Sequence, residues 1–136
     1  MNLVSIRIIT DDVSKLLEFY EQITKLKGVR YTEDFAELQM ANATLAIGST
    51  RTLEFFGGAA IATAAQNRTA IIEFITNDVD QIYREQSEFL ASFSVQKPET
   101  MPWGNRSLLF RDPDGNLVNF FTPVNTDAIK KFEGKI

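Results

Sequence analysis

The chain contains an internal repeat. Residues 6–13, Ile-Arg-Ile-Ile-Thr-Asp-Asp-Val, recur as residues 72–79, Ile-Glu-Phe-Ile-Thr-Asn-Asp-Val, with five of the eight positions identical. Each copy opens with a run of β-branched and other apolar residues, which is typical of a strand. Each then presents an aspartate, Asp12 or Asp78, which is suited to cap the N-terminus of a helix. The repeat therefore predicts that one strand-to-helix unit is built twice.

An amphipathic segment follows each copy. The first helix is predicted to begin after Asp11 or Asp12 and to end at Gly28. The second is predicted to begin near Asp78. Apolar residues at spacings of three and four define the buried stripes, with Val13, Leu16, Leu17, Tyr20, Ile23 and Leu26 in the first helix and Val79, Ile82, Tyr83, Phe89 and Leu90 in the second.

Three short strand-like runs come after each helix, at residues 29–32, 35–40 and 44–47 and at residues 94–97, 106–111 and 117–121. Residues 112–116, Asp-Pro-Asp-Gly-Asn, form a strong turn signal and predict a hairpin between the last two strands. Small uncharged residues from 57 to 66 connect the copies and are compatible with a short helical turn. The predicted order is βαβββ, twice, in an α+β fold.

The boundaries follow from this order. We expect one domain of residues 1–136, with module one at about 1–56, a linker at about 57–68 and module two at about 69–124. The tail, 125–136, is predicted to form a short helix capped at Thr126 or Asp127.

Composition excludes several kinds of chemistry. The 136 residues include no His and no Cys, so a Ser-His-Asp triad, a thiolate nucleophile and a Cys- or His-ligated metal are all ruled out. The net charge of −4 argues against a nucleic-acid-binding protein. The sequence has neither a signal-peptide pattern nor an apolar run of membrane-spanning length. We therefore expect a cytoplasmic protein with no membrane partner.

Two motifs add a resemblance. Phe19-Tyr20 lies near the end of the first helix, and residues 102–107, Pro-Trp-Gly-Asn-Arg-Ser, lead towards the turn at residues 112–116. With the tandem βαβββ order, this pattern resembles the vicinal oxygen chelate superfamily, which includes glyoxalase I, extradiol dioxygenases, fosfomycin-resistance enzymes and bleomycin-resistance proteins. The resemblance implies two modules that form a cupped mixed sheet with the helices on its outer face. Its bleomycin-resistance type implies a homodimer.

Metal-using members of this superfamily carry His, Glu or Gln ligands on the first and fourth strands of each module. By resemblance, those positions fall on Ser5, Ile71, Asn119 and about Ile47. Two aliphatic side chains have no lone pair to offer a metal, so we expect no metal and no other cofactor. The alternative is an all-oxygen site in which Glu73, Glu37 or Glu54 converges with Asn119.

Strand alternation predicts what lines the cup, because residues i and i+2 share one face of a strand. If Ser5 faces the cup, alternation places eight further residues on the same face: Arg7, Ile9, Ile71, Glu73, Ile75, Leu117, Asn119 and Phe121. Val4, Ile6, Ile8, Ile72 and Phe74 then face the helices. Arg7 and Glu73 occupy equivalent positions of the repeat, so they are candidates for an ion pair or for ligand anchors.

The aromatic residues divide into core and surface candidates. Phe19, Phe74, Phe89 and Phe110 are predicted to lie in the core. Trp103, the only tryptophan, is predicted to seal the end of the core with most of its area and to leave one face for a planar or cationic ligand. The pair at residues 55–56 is a candidate swapped edge, dimer contact or lid.

The function that these observations favour is metal-free binding of a small amphipathic or aromatic molecule, which the protein would sequester as a bleomycin-resistance-like homodimer. The predicted ligand contacts are Ser5, Arg7, Glu73, Trp103, Asn119 and Phe121. One alternative is a lyase, isomerase or dioxygenase of the same superfamily, either with a carboxylate metal site or with Glu73 as a base. Another is a dimerisation module of a regulatory assembly.

Overall fold

The computed structural model describes residues 1–136, with the backbone alone at residue 59. The predicted element order is confirmed: a βαβββ unit occurs twice and is followed by a short C-terminal helix. The elements are β1 Ser5–Thr10, α1 Val13–Thr24, β2 Val29–Thr32, β3 Phe35–Gln39, β4 Thr44–Ser49, two 3-10 segments Thr50–Phe56 and Ala59–Ile61, β5 Ile71–Ile75, α2 Val79–Leu90, β6 Ser94–Thr100, β7 Asn105–Arg111, β8 Leu117–Pro123 and α3 Thr126–Lys131.

The eight strands form two four-stranded mixed sheets, in the orders β1-β4-β3-β2 and β5-β8-β7-β6. In each sheet the first strand pairs in parallel with the fourth, and the remaining pairs are antiparallel. The chain divides into two compact units, residues 1–67 with 113–115 and residues 68–112 with 116–136. Both copies of the repeat therefore adopt the same topology.

In module one, α1 covers one face of the sheet, and its Val13, Leu16 and Ile23 are buried. Asp12 caps the helix by accepting a hydrogen bond from the Lys15 N–H at 3.0 Å, as its position in the repeat predicts. The predicted stop at Gly28 is wrong. The helix ends at Thr24, with Lys25 in the left-handed region at φ 60°.

Gly28 has a packing role instead. A Cβ atom placed on it would lie 2.5 Å from Cδ1 of Leu17. Its N–H donates to the Glu21 carboxylate at 2.8 Å. The chain passes close to α1 at Gly28, and a larger side chain there would displace Leu17. Leu26 lies outside the helix, which ends at Thr24, and is exposed.

In module two, Asp78 caps α2 by accepting from the Gln81 N–H at 2.9 Å. Phe120 contacts both Phe74 and Phe110 edge to face, and together they form the centre of the core between sheet and helix. The prediction that Phe89 lies in this core is wrong. Phe89 is 37% exposed and packs against Phe93, because it lies off the buried stripe of the helix.

The hairpin turn between β7 and β8 forms as predicted. The Asp112 carboxylate accepts from the Asn116 backbone N–H at 2.9 Å and from its side-chain amide at 2.8 Å, and Gly115 takes a φ of 82°. The tail helix also forms, but its cap is Asn125, not Thr126 or Asp127, because the Asn125 side chain reaches the Ala128 N–H at 2.8 Å. Within the described residues, we find no helix with both the length and the apolar character needed to cross a membrane.

Candidate functional site

Each module has one sheet face that points away from its helix, which we call the open face. In module two, the register of β5, β8 and β7 places Glu73, Asn119 and Leu109 in one row of this face. Gln96 of β6 pairs with Leu109 and extends the row. The predicted alternation of Glu73, Asn119 and Phe121 on one face therefore agrees with the register.

Asn119 is the most constrained polar residue of this open face. Its side-chain NH₂ donates to Glu73 Oε2 at 2.8 Å, and the residue is only 7% exposed. Its Oδ1 atom is buried and has no hydrogen-bond partner among the described residues. A buried polar atom without a partner destabilises a fold by about 1–3 kcal/mol, so this oxygen needs an external donor.

Two further amide atoms on the same face are in the same condition. Gln96 Nε2 and Asn105 Oδ1 are buried and have no partner within the described part of the chain. Asn105 and Ser107 alternate with inward-facing Leu108 along β7, so they share the face with Leu109. The open face of module two thus presents one unpaired donor, from Gln96, and two unpaired acceptors, from Asn105 and Asn119. Leu109 lies between Gln96 and Asn119.

Phe121 lies at one end of this face and is almost fully buried. The ring of Phe132, just after α3, lies 5.1 Å from it. The tail therefore covers the part of the face that Phe121 lines. Sequence periodicity gives no sign of this contact, because it joins a strand to a residue outside any regular element.

Trp103 does not seal the core, and that prediction is wrong. It is 65% exposed, in a tight turn in which the Gly104 N–H donates to the Met101 carbonyl at 2.9 Å. Gly104 has a φ of 90°, and a Cβ there would collide with the Asn125 side chain. The turn thus holds the indole away from the core and leaves its area available for contact.

The open face of module one has a different character. The register of β1, β4 and β3 gives three rows: Ser5 with Thr44 and Gln39, Arg7 with Ala46 and Glu37, and Ile9 with Gly48 and Phe35. Ser5 and Arg7 are exposed. The Arg7 Cζ atom lies 4.8 Å from the Phe35 ring centroid and 5.4 Å from that of Phe56. The predicted ion pair between Arg7 and Glu73 stays a prediction.

A polar cluster on the same face was not predicted as a group. The Tyr31 hydroxyl donates to Glu37 Oε2 at 3.2 Å, and the Gln39 amide donates to the same oxygen at 2.9 Å. The Gln39 amide also donates to the Tyr31 hydroxyl at 3.0 Å. Alternation along β3 places Glu37 and Gln39 on one face and could have been used to group them. Tyr31 could not be added, because no register between β2 and β3 follows from the sequence.

The strand register changes which residue of module one corresponds to a metal-ligand position of related proteins. Glu73 pairs with Asn119 in module two, and its repeat equivalent Arg7 pairs with Ala46. Ala46, not Ile47, is therefore the counterpart of Asn119; Ile47 faces α1 and is fully buried. The four positions carry Ser5, Ala46, Ile71 and Asn119, which lack an anionic or imidazole donor.

These residues do not fit the metal that the fold family implies. Elsewhere among the described side chains, no three His, Cys, Asp or Glu residues are grouped so that they could hold an ion. The alternative in which several carboxylates converge with Asn119 lacks that grouping as well. Of the three candidate carboxylates, Glu73 alone has a hydrogen bond to Asn119 among the described residues.

The charged residues that support the site elements are paired. Arg106 of β7 binds Asp80 of α2 through two contacts, Nε to Oδ2 at 2.6 Å and a second nitrogen to Oδ1 at 2.9 Å. This hydrogen bonding by Arg106 lowers the pKa of Asp80 below its ordinary value. In module one, the Arg51 guanidinium likewise lowers the pKa of Asp34.

Comparison with known proteins places this geometry in context. The model of the glyoxalase/bleomycin resistance protein/dioxygenase superfamily matches residues 2–120. The uncharacterized protein YwbC of Bacillus subtilis (strain 168) is 26% identical over 116 residues, which are 84% of this chain and 91% of that protein.

Solved structures share the fold. One is a glyoxalase/bleomycin resistance protein/dioxygenase family enzyme from Burkholderia phytofirmans PsJN, with a TM-score of 0.77, 13% identity and coverage of 91% of this chain and 100% of that one. Another is the virulence protein STM3117 from Salmonella typhimurium, with a TM-score of 0.70, 24% identity and coverage of 91% and 98%.

Proposed function

Because the chain belongs to the glyoxalase/bleomycin resistance protein/dioxygenase superfamily, we propose that it is a small-molecule-binding member that works without a metal ion. The observation that carries the proposal is the buried, unpaired Oδ1 of Asn119. By resemblance, metal-using relatives carry a metal ligand at the position of Asn119. Here an amide takes its place, and an amide oxygen accepts a hydrogen bond from an organic ligand.

The surroundings favour an amphipathic or aromatic ligand. Leu109 supplies apolar area between Asn119 and Gln96, and the unpaired Gln96 nitrogen supplies a donor. Binding would bury apolar area at about 25 cal/mol per Å², and the two amides would set the orientation. Glu73 fixes the Asn119 amide by accepting its N–H, so the free oxygen is presented in one orientation.

We propose that Trp103 and Phe121 also contact the ligand in module two, and that Ser5 offers a ligand contact on the open face of module one. The exposed indole of Trp103 supports its role. Phe121 becomes accessible when the Phe132 ring moves away from it.

We also propose a homodimer in which ligand is sequestered without a change in its covalent bonds. Leu3, Val4 and Ile6 are exposed beside β1, which is the end strand of its sheet. Exposed apolar side chains at a sheet edge are typical of an interface.

Benzamide is a suitable probe because it is planar and carries both a donor NH₂ and an acceptor carbonyl. Titration calorimetry should detect its binding to the wild-type protein, and Asn119→Leu should weaken that binding by about three- to tenfold, the effect of one lost hydrogen bond. Asn42→Leu, at an exposed turn residue, is the matched control and should leave affinity unchanged. Equal affinity in wild type and Asn119→Leu would contradict the proposal.

A further inference from the structure

The guanidinium of Arg7 is held in place without being neutralised. Its Cζ lies 4.8 Å from the Phe35 ring centroid and 5.4 Å from the Phe56 ring centroid. Attraction between a cation and an aromatic ring uses none of the five N–H donors of arginine. Within module one, no oxygen of the described residues accepts a hydrogen bond from these donors, so all of them remain available there.

Gly48 lies beside the Arg7 side chain. A Cβ atom at Gly48 would lie 3.5 Å from Cδ of Arg7, an ordinary van der Waals contact, and 3.1 Å from the Thr52 hydroxyl. Gly48 pairs with Phe35 across β4 and β3, so the Arg7 side chain leans from its own row towards the next one. The guanidinium therefore lies beside the Phe35 ring.

The carboxylate in the same row as Arg7, that of Glu37, does not pair with it. Glu37 shares its row, with only Ala46 between them. Yet the Glu37 carboxylate is bound to Tyr31 and Gln39, and no ion pair joins it to Arg7 in the described part of the chain.

Two other arginines form ion pairs that have a structural role. Arg51 binds Asp34 at 2.6 Å, and Arg106 binds Asp80 at 2.6 Å. Each connects two elements of its module through a carboxylate. Arg7 has no such partner within module one and lies beside two aromatic rings instead.

We infer that Arg7 is the centre of an oxyanion-binding site on the open face of module one, for the carboxylate or phosphate of a small molecule with a planar apolar part. An oxyanion accepts two parallel N–H bonds from a guanidinium fork. Phe56 is 58% exposed and flanks the charge, so it offers a ring surface for the apolar part. The inference goes beyond the proposed function, because it assigns a second binding site, on module one.

Benzoate and phenyl phosphate test the two oxyanions, and benzamide is the neutral isostere of benzoate. Calorimetry on the full chain should show that wild type binds at least one of the two anions. Arg7→Gln should weaken that binding by about tenfold or more, and Arg7→Lys should restore it only in part. Arg84→Gln, on the exposed side of α2, is the matched control and should have no effect. The anion with the larger Arg7-dependent loss identifies the preferred group.

Phe56→Leu tests the aromatic platform. It keeps an apolar residue at an exposed position, so the fold is retained, and it should weaken anion binding several-fold. Anion affinity that is the same in wild type and Arg7→Gln overturns the inference. If benzamide binding still depends on Asn119 in that case, the proposed function stands. If none of the three probes binds the wild-type protein, both proposals fail.

Discussion

At the scale of single residues, Asn119 and Arg7 are held by their neighbours in opposite ways. Asn119 is buried and uses its donor on Glu73, which leaves an acceptor free. Arg7 is exposed and held by two rings, which leaves its donors free. In each case a neighbour fixes one part of the side chain and leaves hydrogen-bonding atoms unused, and we propose that a ligand binds these atoms. Such fixed groups bind with a smaller loss of conformational entropy.

Gly48 gives a prediction at this scale. Gly48→Ala should lower the free energy of unfolding by about 1 kcal/mol, because the new methyl group lies only 3.1 Å from the Thr52 hydroxyl. Urea denaturation followed by circular dichroism measures the change. The double variant Gly48→Ala/Thr52→Ala removes the closer contact and should recover part of the loss. No recovery would show that the Thr52 contact is not the cause.

At the scale of elements, the Arg106–Asp80 pair joins α2 to β7 on the helix-covered side of the sheet in module two. Hydrogen bonding lowers the pKa of Asp80 in the folded state, so the pair stabilises the fold above the unfolded pKa of this carboxyl. That stability is lost as the pH falls through the lower folded value. The pair is partly exposed, so its contribution is up to about 1 kcal/mol.

Asp80→Asn should therefore destabilise the protein at neutral pH by up to about 1 kcal/mol and should have progressively less effect below about pH 4. Urea denaturation at a series of pH values gives the two stability curves. Asp11→Asn is the control, since Asp11 is an exposed carboxylate with no ion pair among the described residues. A gap between the wild-type and Asp80→Asn curves that stays constant down to pH 2 would contradict this account.

Sequence patterns predicted every strand and both long helices because β-branched runs, aspartate caps and the turn at residues 112–116 act locally. The end of α1 was mispredicted because Lys25 adopts a left-handed conformation that usually favours glycine. Alternation placed Glu73 and Asn119 on one face. It did not find Gln96, because the pairing of β6 with β7 shifts register on either side of that residue.

The sequence could not predict the contacts of Arg7 either, because they depend on the path of the chain between regular elements. Phe56 ends the 3-10 segment Thr50–Phe56, which was not predicted, because the short helical turn was expected within residues 57–66. Its approach to Arg7 depends on the path that the chain takes after β4. The contact between Phe121 and Phe132 depends in the same way on the path of the tail.

At the scale of the whole molecule, one topology carries two different open faces. The repeat places Arg7 in module one where Glu73 stands in module two. Around these positions, module one provides aromatic rings and free donors, and module two provides amides around a leucine. Among the described residues, neither open face groups the three carboxylate or imidazole donors that a catalytic metal needs. We therefore propose that this family member binds organic molecules without a metal.

Elemental analysis after equilibrium dialysis tests that claim most directly. The purified full-length protein is dialysed separately against Mg²⁺, Mn²⁺, Ni²⁺ and Zn²⁺, and the metal content is measured per chain, with and without benzamide or benzoate. We predict far less than one ion per chain under every condition, while probe binding is the same before and after treatment with a chelator. One tightly held divalent ion per chain, with probe binding lost on its removal, would contradict the account.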